Sequence, residues 1–383
     1  MGILIKNGKL LRMTDENNEF TGDIFIEDGK IKEISEYIEH KEGDFLINAH
    51  ENYVTPGFID PHCHIGMWED GMGFEGADGN EATDPFTPNL EAVYGLNPFD
   101  PCFKEAYEAG ITTAVTGPGS ANVMGGTFVA VKTYGEDLED MIIKNPVAMK
   151  SALGENPKRV YSSKDKSPST RMAVASIFRE ALLKTKNYMI KREKEKDKDI
   201  DFKLEALKKL FTDNLILKTH AHRADDILTA VRIAREFNLN MTIEHCTEGH
   251  LIAGLLKKYS VKPILGPLIT ERSKIELKNL SMKAPAILEE EGVEFALMTD
   301  HPVIPIQYLP VQAALAVREG LSRDKALKAI TINAAKFNGI DDRVGSLEVG
   351  KDADIVIWNN YPLDWQAKPL QVLVNGKVIL KKD

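Results

Sequence analysis

The chain has 383 residues, 48 of them lysine or arginine against 58 aspartate or glutamate, for a net charge of −10 and a pI near 5.5. That balance argues against a protein that grips a phosphate backbone, and no run of about 18 apolar residues suits a membrane span, so neither nucleic acid nor membrane is an expected partner. At 43% hydrophobic and 28% charged residues, over more than the 100–200 residues of roughly one domain, the composition predicts one large globular domain plus a smaller one. The three cysteines, Cys63, Cys102 and Cys246, are too few for a disulfide framework. With no basic, then apolar leader pattern at Met1 to Lys9, a cytoplasmic protein is expected.

In chain order, Ile3-Leu4-Ile5, Asp23-Ile24-Phe25-Ile26-Glu27 and Ile31-Lys32-Glu33-Ile34, with Asp28-Gly29 between the last two, predict strands joined by tight turns. From about Gly57 to Asn338, apolar strand-like runs alternate with longer helical patterns. That order is the one expected of repeated β/α units, and the length suffices for a (β/α)8 barrel. The segment from Gly66 to Asn97 is too long for an ordinary connection and is predicted to cover a site or to form an oligomer contact. Gly117-Pro118-Gly119-Ser120, after the strand-like Thr112 to Thr116, has neither P-loop nor dinucleotide spacing and is predicted to be a substrate-side loop. From Lys184 to Lys209 charges of both signs dominate, including Lys191 to Asp199, which predicts a solvated helix. The C-terminus returns to strands at Ala353 to Trp358, Val372 to Val374 and Val378 to Leu380, with Asn375-Gly376 as a turn. Both ends are thus predicted to share a sheet assembly.

Most of the functional information lies in nine histidines. His62 and His64 follow the strand-like Phe58-Ile59, and residues two apart on a strand share a face, so both imidazoles can converge on one cation. Random placement gives only about 0.2 His-x-His pairs in such a chain. The sequence has a second, His220-Ala221-His222, at the end of the apolar run Leu215 to Leu217. Met241 to Cys246 repeats the arrangement with His245 one β/α unit later. Phe295 to Asp300 ends another strand in a carboxylate, followed by His301. In a barrel these strand ends open onto one C-terminal face. His222 and His301 are open between orienting a ligand, contacting substrate and lying at the surface. His40, His50 and His250 read as ordinary hydrogen-bonded residues. Strand alternation turns Cys63 and Cys246 away from the neighbouring ligands, toward buried packing.

These residues resemble the metal-dependent amidohydrolase superfamily, with the imidazolonepropionase-like and dipeptidase-like branches nearest in pattern. The resemblance rests on Thr55-Pro56-Gly57-Phe58-Ile59-Asp60 leading into His62 and His64, on His220, His245 and Asp300 in order, on Thr331 to Lys336, and on Val344-Gly345-Ser346-Leu347-Glu348-Val349-Gly350-Lys351-Asp352-Ala353-Asp354. It implies an α/β fold: a distorted (β/α)8 TIM-type barrel over residues 57–344, flanked by a small β-sandwich built from 1–56 and 345–383. By family pattern His62 and His64 hold the more buried metal, His220 and His245 hold a second or contact substrate, and Asp300 ligates and shuttles the proton. Relatives with two metals bridge them with a carboxylated lysine or a glutamate, and this chain offers both, Lys150 and Glu155. The cofactor implied is Zn2+, as one or two divalent ions, with Mn2+, Fe2+ and Co2+ compatible.

The implied chemistry is hydrolysis of a C–N bond in a small amide, cyclic amide or dipeptide-like substrate, by a homo-oligomer. A metal lowers the pKa of water and polarises a carbonyl, while Asp300 moves the proton to the leaving nitrogen. His222, His245 and His301 are candidates to steady the oxyanion. Arg159, Arg171 and Arg223 are candidate carboxylate clamps, although surface positions are the commoner fate of arginine. A deaminase of heterocyclic bases on the same scaffold, and a non-catalytic scaffold protein, are the alternatives.

Overall fold

The structure is a computed structural model and describes residues 2–14, 18–194 and 199–382. Its first strands are β1 (Ile3–Leu11), β2 (Glu19–Glu27), β3 (Lys30–Ser35), β4 (Phe45–Asn48) and β5 (Tyr53–Pro56). The middle of the chain carries β6 (Phe58–Cys63), β7 (Ile111–Thr116), β8 (Met124–Lys132), β9 (Ile142–Ala152), β10 (Ile216–Ala221), β11 (Met241–His245), β12 (Lys262–Leu265) and β13 (Ala296–Leu297). The last are β14 (Ile355–Trp358), β15 (Pro369–Val374) and β16 (Lys377–Lys381).

These strands form two sheets. The terminal one runs β16-β15-β14-β5-β1-β2-β3, with β4 also paired to β1. β14 lies antiparallel to β5, which is how the C-terminus joins the N-terminus. The other sheet runs in sequence order from β6 to β13 and curls into a nearly closed barrel. Its seam is held by Asp60, whose carboxylate accepts from Thr299 N at 3.2 Å and from the Thr299 hydroxyl. The α/β barrel with a sheet from both termini is the architecture that the sequence predicts.

The simple β/α alternation fails in one place. β8 is antiparallel to both β7 and β9, because residues 117–123 between β7 and β8 are fewer than the dozen or so that a parallel crossover needs. Elsewhere helices return the chain, as Ala224–Phe237 does between β10 and β11. It starts after Arg223, carries Asp225 and Asp226 in its first turn and stops at Asn238 in the left-handed conformation. Its apolar face, including Ile227, Val231 and Phe237, packs into the layer between helices and barrel. The charged run forms the ends of helices Arg171–Lys194 and Phe202–Thr212, whose surfaces are largely solvated; residues 195–198 of it lie outside the described residues. No helix among the described residues is long and apolar enough to cross a membrane.

Candidate metal centre

The barrel interior is apolar toward one end and ionisable at the other. Asp60, His62, Lys150, Lys218 and Glu244 are all fully buried, so each needs a partner. They find one another. His62 Nδ1 lies 2.8 Å from Glu244 Oε2, and Lys218 Nζ lies 3.3 Å from the same oxygen. Lys218 also donates to Asn338 Oδ1 at 3.1 Å, and Thr242 Oγ1 bonds the other Glu244 oxygen.

Two groups of three ligand-capable side chains stand above this layer. In one, atoms of His62, His64 and Asp300 lie within 4.8 Å of one another; in the other, atoms of His220, His222 and His245 do. Asp300 Oδ1 is 3.2 Å from His64 Nε2 and 3.7 Å from His62 Nε2. His220 and His245 have ring centroids 4.3 Å apart, as do His222 and His245.

Neighbouring turns orient these rings. His64 Nδ1 donates to Gly117 O at 2.7 Å, His245 Nδ1 to Gly266 O at 2.9 Å, and His222 Nδ1 meets Thr247 Oγ1 at 2.7 Å. The carbonyl acceptors place the proton of His64 and His245 on Nδ1, leaving their Nε2 with a lone pair for the interior. Backbone strain coincides with the site: His245, Cys246 and Asp300 have φ of 70°, 47° and 56°, values that side-chain-bearing residues seldom adopt outside constrained sites.

Burial sets the protonation states. It drives the pKa of His62, His220 and His222 well below the ordinary imidazole range and that of His245 to about 4. These rings are therefore neutral near pH 7, the form that ligates. Burial opposes the charge of Asp300 as well, but His245 and His64 outweigh it and hold the carboxyl below its usual range. Burial lowers Lys150 to about 8, against the pull of Glu244 and Asp300.

The donor set fits a divalent cation. Both ring nitrogens of His220 and Nε2 of His222 are buried without a hydrogen-bond partner. Such orphaned, neutral, convergent nitrogens are what borderline divalent metals bind.

Lys150 reaches this centre, with Nζ 3.2 Å from His62 Nε2. Glu155 begins helix Glu155–Ser162; its backbone N–H donates to Glu276 Oε2, and its side chain does not line the cavity. Arg159 is exposed on the same helix. Arg171 pairs with Asp226 at 3.0 Å and Arg223 with Asp225 at 2.9 Å, so none of the three arginines lines the cavity. His301 is buried behind Asp300, its Nδ1 accepting from Ile306 N at 3.2 Å, and is also absent from the cavity wall. Cys63 and Cys246 are buried free thiols.

The cavity, of about 340 Å³, is lined by His64, His220, His222, His245 and Asp300 together with residues of surrounding loops. Trp68 and Asn80 of the long segment and Gly119 and Ser120 of the glycine-rich loop belong to its wall. Two buried acidic residues escaped the sequence reading. Glu244 sits one position before His245, where alternation would turn it away; the left-handed φ at His245 breaks that alternation. Glu276, on the loop after β12, has Oε1 3.6 Å from His222 Nε2 and 3.8 Å from His220 Nε2; no periodic signal marks it.

The sequence profile of the Amidohydrolase family matches residues 53–379. An amidohydrolase from Thermotoga maritima MSB8 has a solved structure that superposes with a TM-score of 0.95 at 42% identity, covering 99% of this chain and all of that one. The amidohydrolase tasK of Hapsidospora irregularis is 27% identical over 93% of this chain, which spans only 39% of that protein's length. A dihydroorotase of Acetivibrio thermocellus is 25% identical over 93% of this chain and 88% of its own.

Proposed function

The chain belongs to the amidohydrolase family, a family of metal-binding hydrolases of C–N bonds, and from that premise we propose that His62, His64 and Asp300 hold one Zn2+-like ion and His220, His222 and His245 a second. The observation that carries this reading is the pair of three-ligand groups beside one cavity, with all of them except buried His62 lining its wall. Lys150 is the bridge of choice over Glu155. Its amine is close to His62, and its lowered pKa leaves a fraction neutral at physiological pH. A neutral amine adds CO2 to give a carbamate and a proton, and the resulting anion would offset repulsion between two dications.

When bound, the ions supply positive charge that acidifies water and polarises a substrate carbonyl. The protein's own part is to position and to move protons. Asp300, ionised and strained into the cavity, accepts a proton from the attacking water and delivers it to the leaving nitrogen. Trp68, packed edge-on against His64 with centroids 4.8 Å apart, narrows water access on one side. The substrate is a small amide, cyclic amide or dipeptide-like molecule, in keeping with a 340 Å³ cavity. A cytoplasmic homo-oligomer, divided near residues 56 and 345, completes the reading.

Elemental analysis of the purified protein is expected to find one or two transition-metal ions per chain. Asp300→Asn is expected to lower kcat by about 10³-fold or more, with most of the metal retained. A fully active protein free of metal, or an active Asp300→Asn enzyme, would falsify the assignment.

A further inference from the structure

Among the described residues lining the cavity, Lys274 is the only lysine or arginine. It comes from the loop between β12 and helix Ala284–Glu291, a segment that supplied no candidate at the level of sequence. Its ammonium is held at two of its three donor positions: Nζ is 3.0 Å from Glu276 Oε1 and donates to Asn156 Oδ1 at 3.1 Å. Both partners are themselves anchored. Glu276 is fully buried and its other oxygen accepts from Glu155 N at 3.0 Å; Asn156 donates to Ser120 Oγ at 2.7 Å. One group from the lysine's own loop and one from helix Glu155–Ser162 therefore hold the cation, while the side chain keeps 17% of its surface exposed.

A lysine normally loses conformational freedom when it binds a ligand, and here that loss is already met by the fold. A buried acid beside a lysine also has an ordinary reading, as a pair that neutralises itself. That reading explains Glu276 but not why the lysine stands on the wall of the cavity that holds Asp300 and the histidines. The rest of that wall combines apolar Trp68, Pro267, Leu277, Pro302 and Val303 with uncharged hydrogen-bonding groups.

We propose that Lys274 is a substrate anchor that takes a carboxylate, so that this enzyme acts on C–N bonds in small molecules bearing a free carboxylate next to an apolar group. The chemistry is that of an N-acyl amino acid, a dipeptide or a cyclic amide with an acid side arm. Lys274 binds and orients; it takes no part in bond breaking. The inference rests on the hydrolase reading above for the site but is tested separately from it.

The test measures binding of N-acetyl-L-leucine and of its neutral amide, N-acetyl-L-leucinamide, to the metal-loaded enzyme by calorimetry. The acid is expected to bind about tenfold tighter or more, as a charge-assisted hydrogen bond implies. Lys274→Met should remove that preference, bringing the acid and the amide to similar affinity, whereas Lys274→Arg should keep most of it. Because Lys274→Met strands the Glu276 charge, the double variant Lys274→Met, Glu276→Gln is measured alongside, with the same loss expected. Equal binding of acid and amide by the wild type, no measurable binding of the acid, or a preference that survives both methionine variants overturns the anchor. Metal content, read in parallel, separates the two conclusions: a metal-free wild type would defeat the hydrolase reading while leaving the acid preference to be judged on its own.

Discussion

Glu244 is the residue on which His62 depends. A neutral imidazole presents one lone pair, and the carboxylate at Nδ1 decides that it is Nε2 that faces the cavity. Glu244→Gln keeps size and one acceptor but can present its amide instead, and it removes the charge that balances Lys218. Metal affinity at the His62 side, measured by chelator competition, is expected to fall by about 10–100-fold. An unaltered affinity would mean that the ring is held by packing against Phe128, whose centroid is 5.0 Å away. At this scale the sequence was legible where chemistry is encoded in identity and spacing, as in the two His-x-His pairs. It was silent where a partner comes from another strand, as Glu244 and Lys218 do for His62.

The turns that leave β7 and β12 contribute through backbone carbonyls instead of side chains. Gly117 O and Gly266 O take the outer protons of His64 and His245. Gly266 has φ of 141°, and a Cβ there would stand 2.3 Å from Met298 O, a backbone atom with nowhere to retreat. At Gly117 the obstacle is the Phe128 ring, 2.4 Å from such a Cβ. Gly266→Ala is therefore expected to displace the turn, costing about 1–3 kcal/mol of stability and weakening metal binding at the His245 side. Thermal unfolding with and without added Zn2+ reads both effects; a variant with the wild-type Tm and metal response would contradict the account. The glycine-rich stretch was readable as a loop, because glycine and proline punctuate any fold, and it lines the cavity through Gly119 and Ser120. Its hydrogen bond to His64 was not, since backbone acceptors leave no trace in residue type.

Across the whole molecule, barrel and terminal sheet are tied by charge as well as by strands. Lys132 on β8 is buried, with Nζ 2.9 Å from Asp352 and 2.5 Å from Asp354, two residues that lead into β14. Lys30 and Arg343 pair with Asp352 from other sides, at 2.5 and 2.8 Å. Lys132→Met strands buried carboxylates, so about 3 kcal/mol of stability is expected to be lost at neutral pH, seen as a Tm several degrees lower. Burial alone would raise the Asp352 pKa, but Lys132, Lys30 and Arg343 depress it to about 2. A depressed carboxyl stabilises the fold above its unfolded pKa of about 4, and the contribution fades as pH falls from there toward 2. Wild-type Tm should fall across that window, and more gently in Lys132→Met. A variant as stable as the wild type would show that the ion pairs only balance the cost of burying them.

The amino-acid sequence by itself determined the chemistry available to this protein: strand periodicity set His62 with His64 and ended three further apolar runs in groups that bind metals or carry protons. Fold class followed too, because alternating apolar patterns have few ways to bury themselves. Only the tertiary structure decided which groups share a centre. It drew His222 into the second histidine set, left Arg159 in solvent and brought Lys274 to the cavity wall with Glu276 buried beside it. The physical reason is that spacing along a chain governs neighbours on one strand, whereas contacts between strands depend on closure of the barrel and on φ reversals at His245 and Asp300.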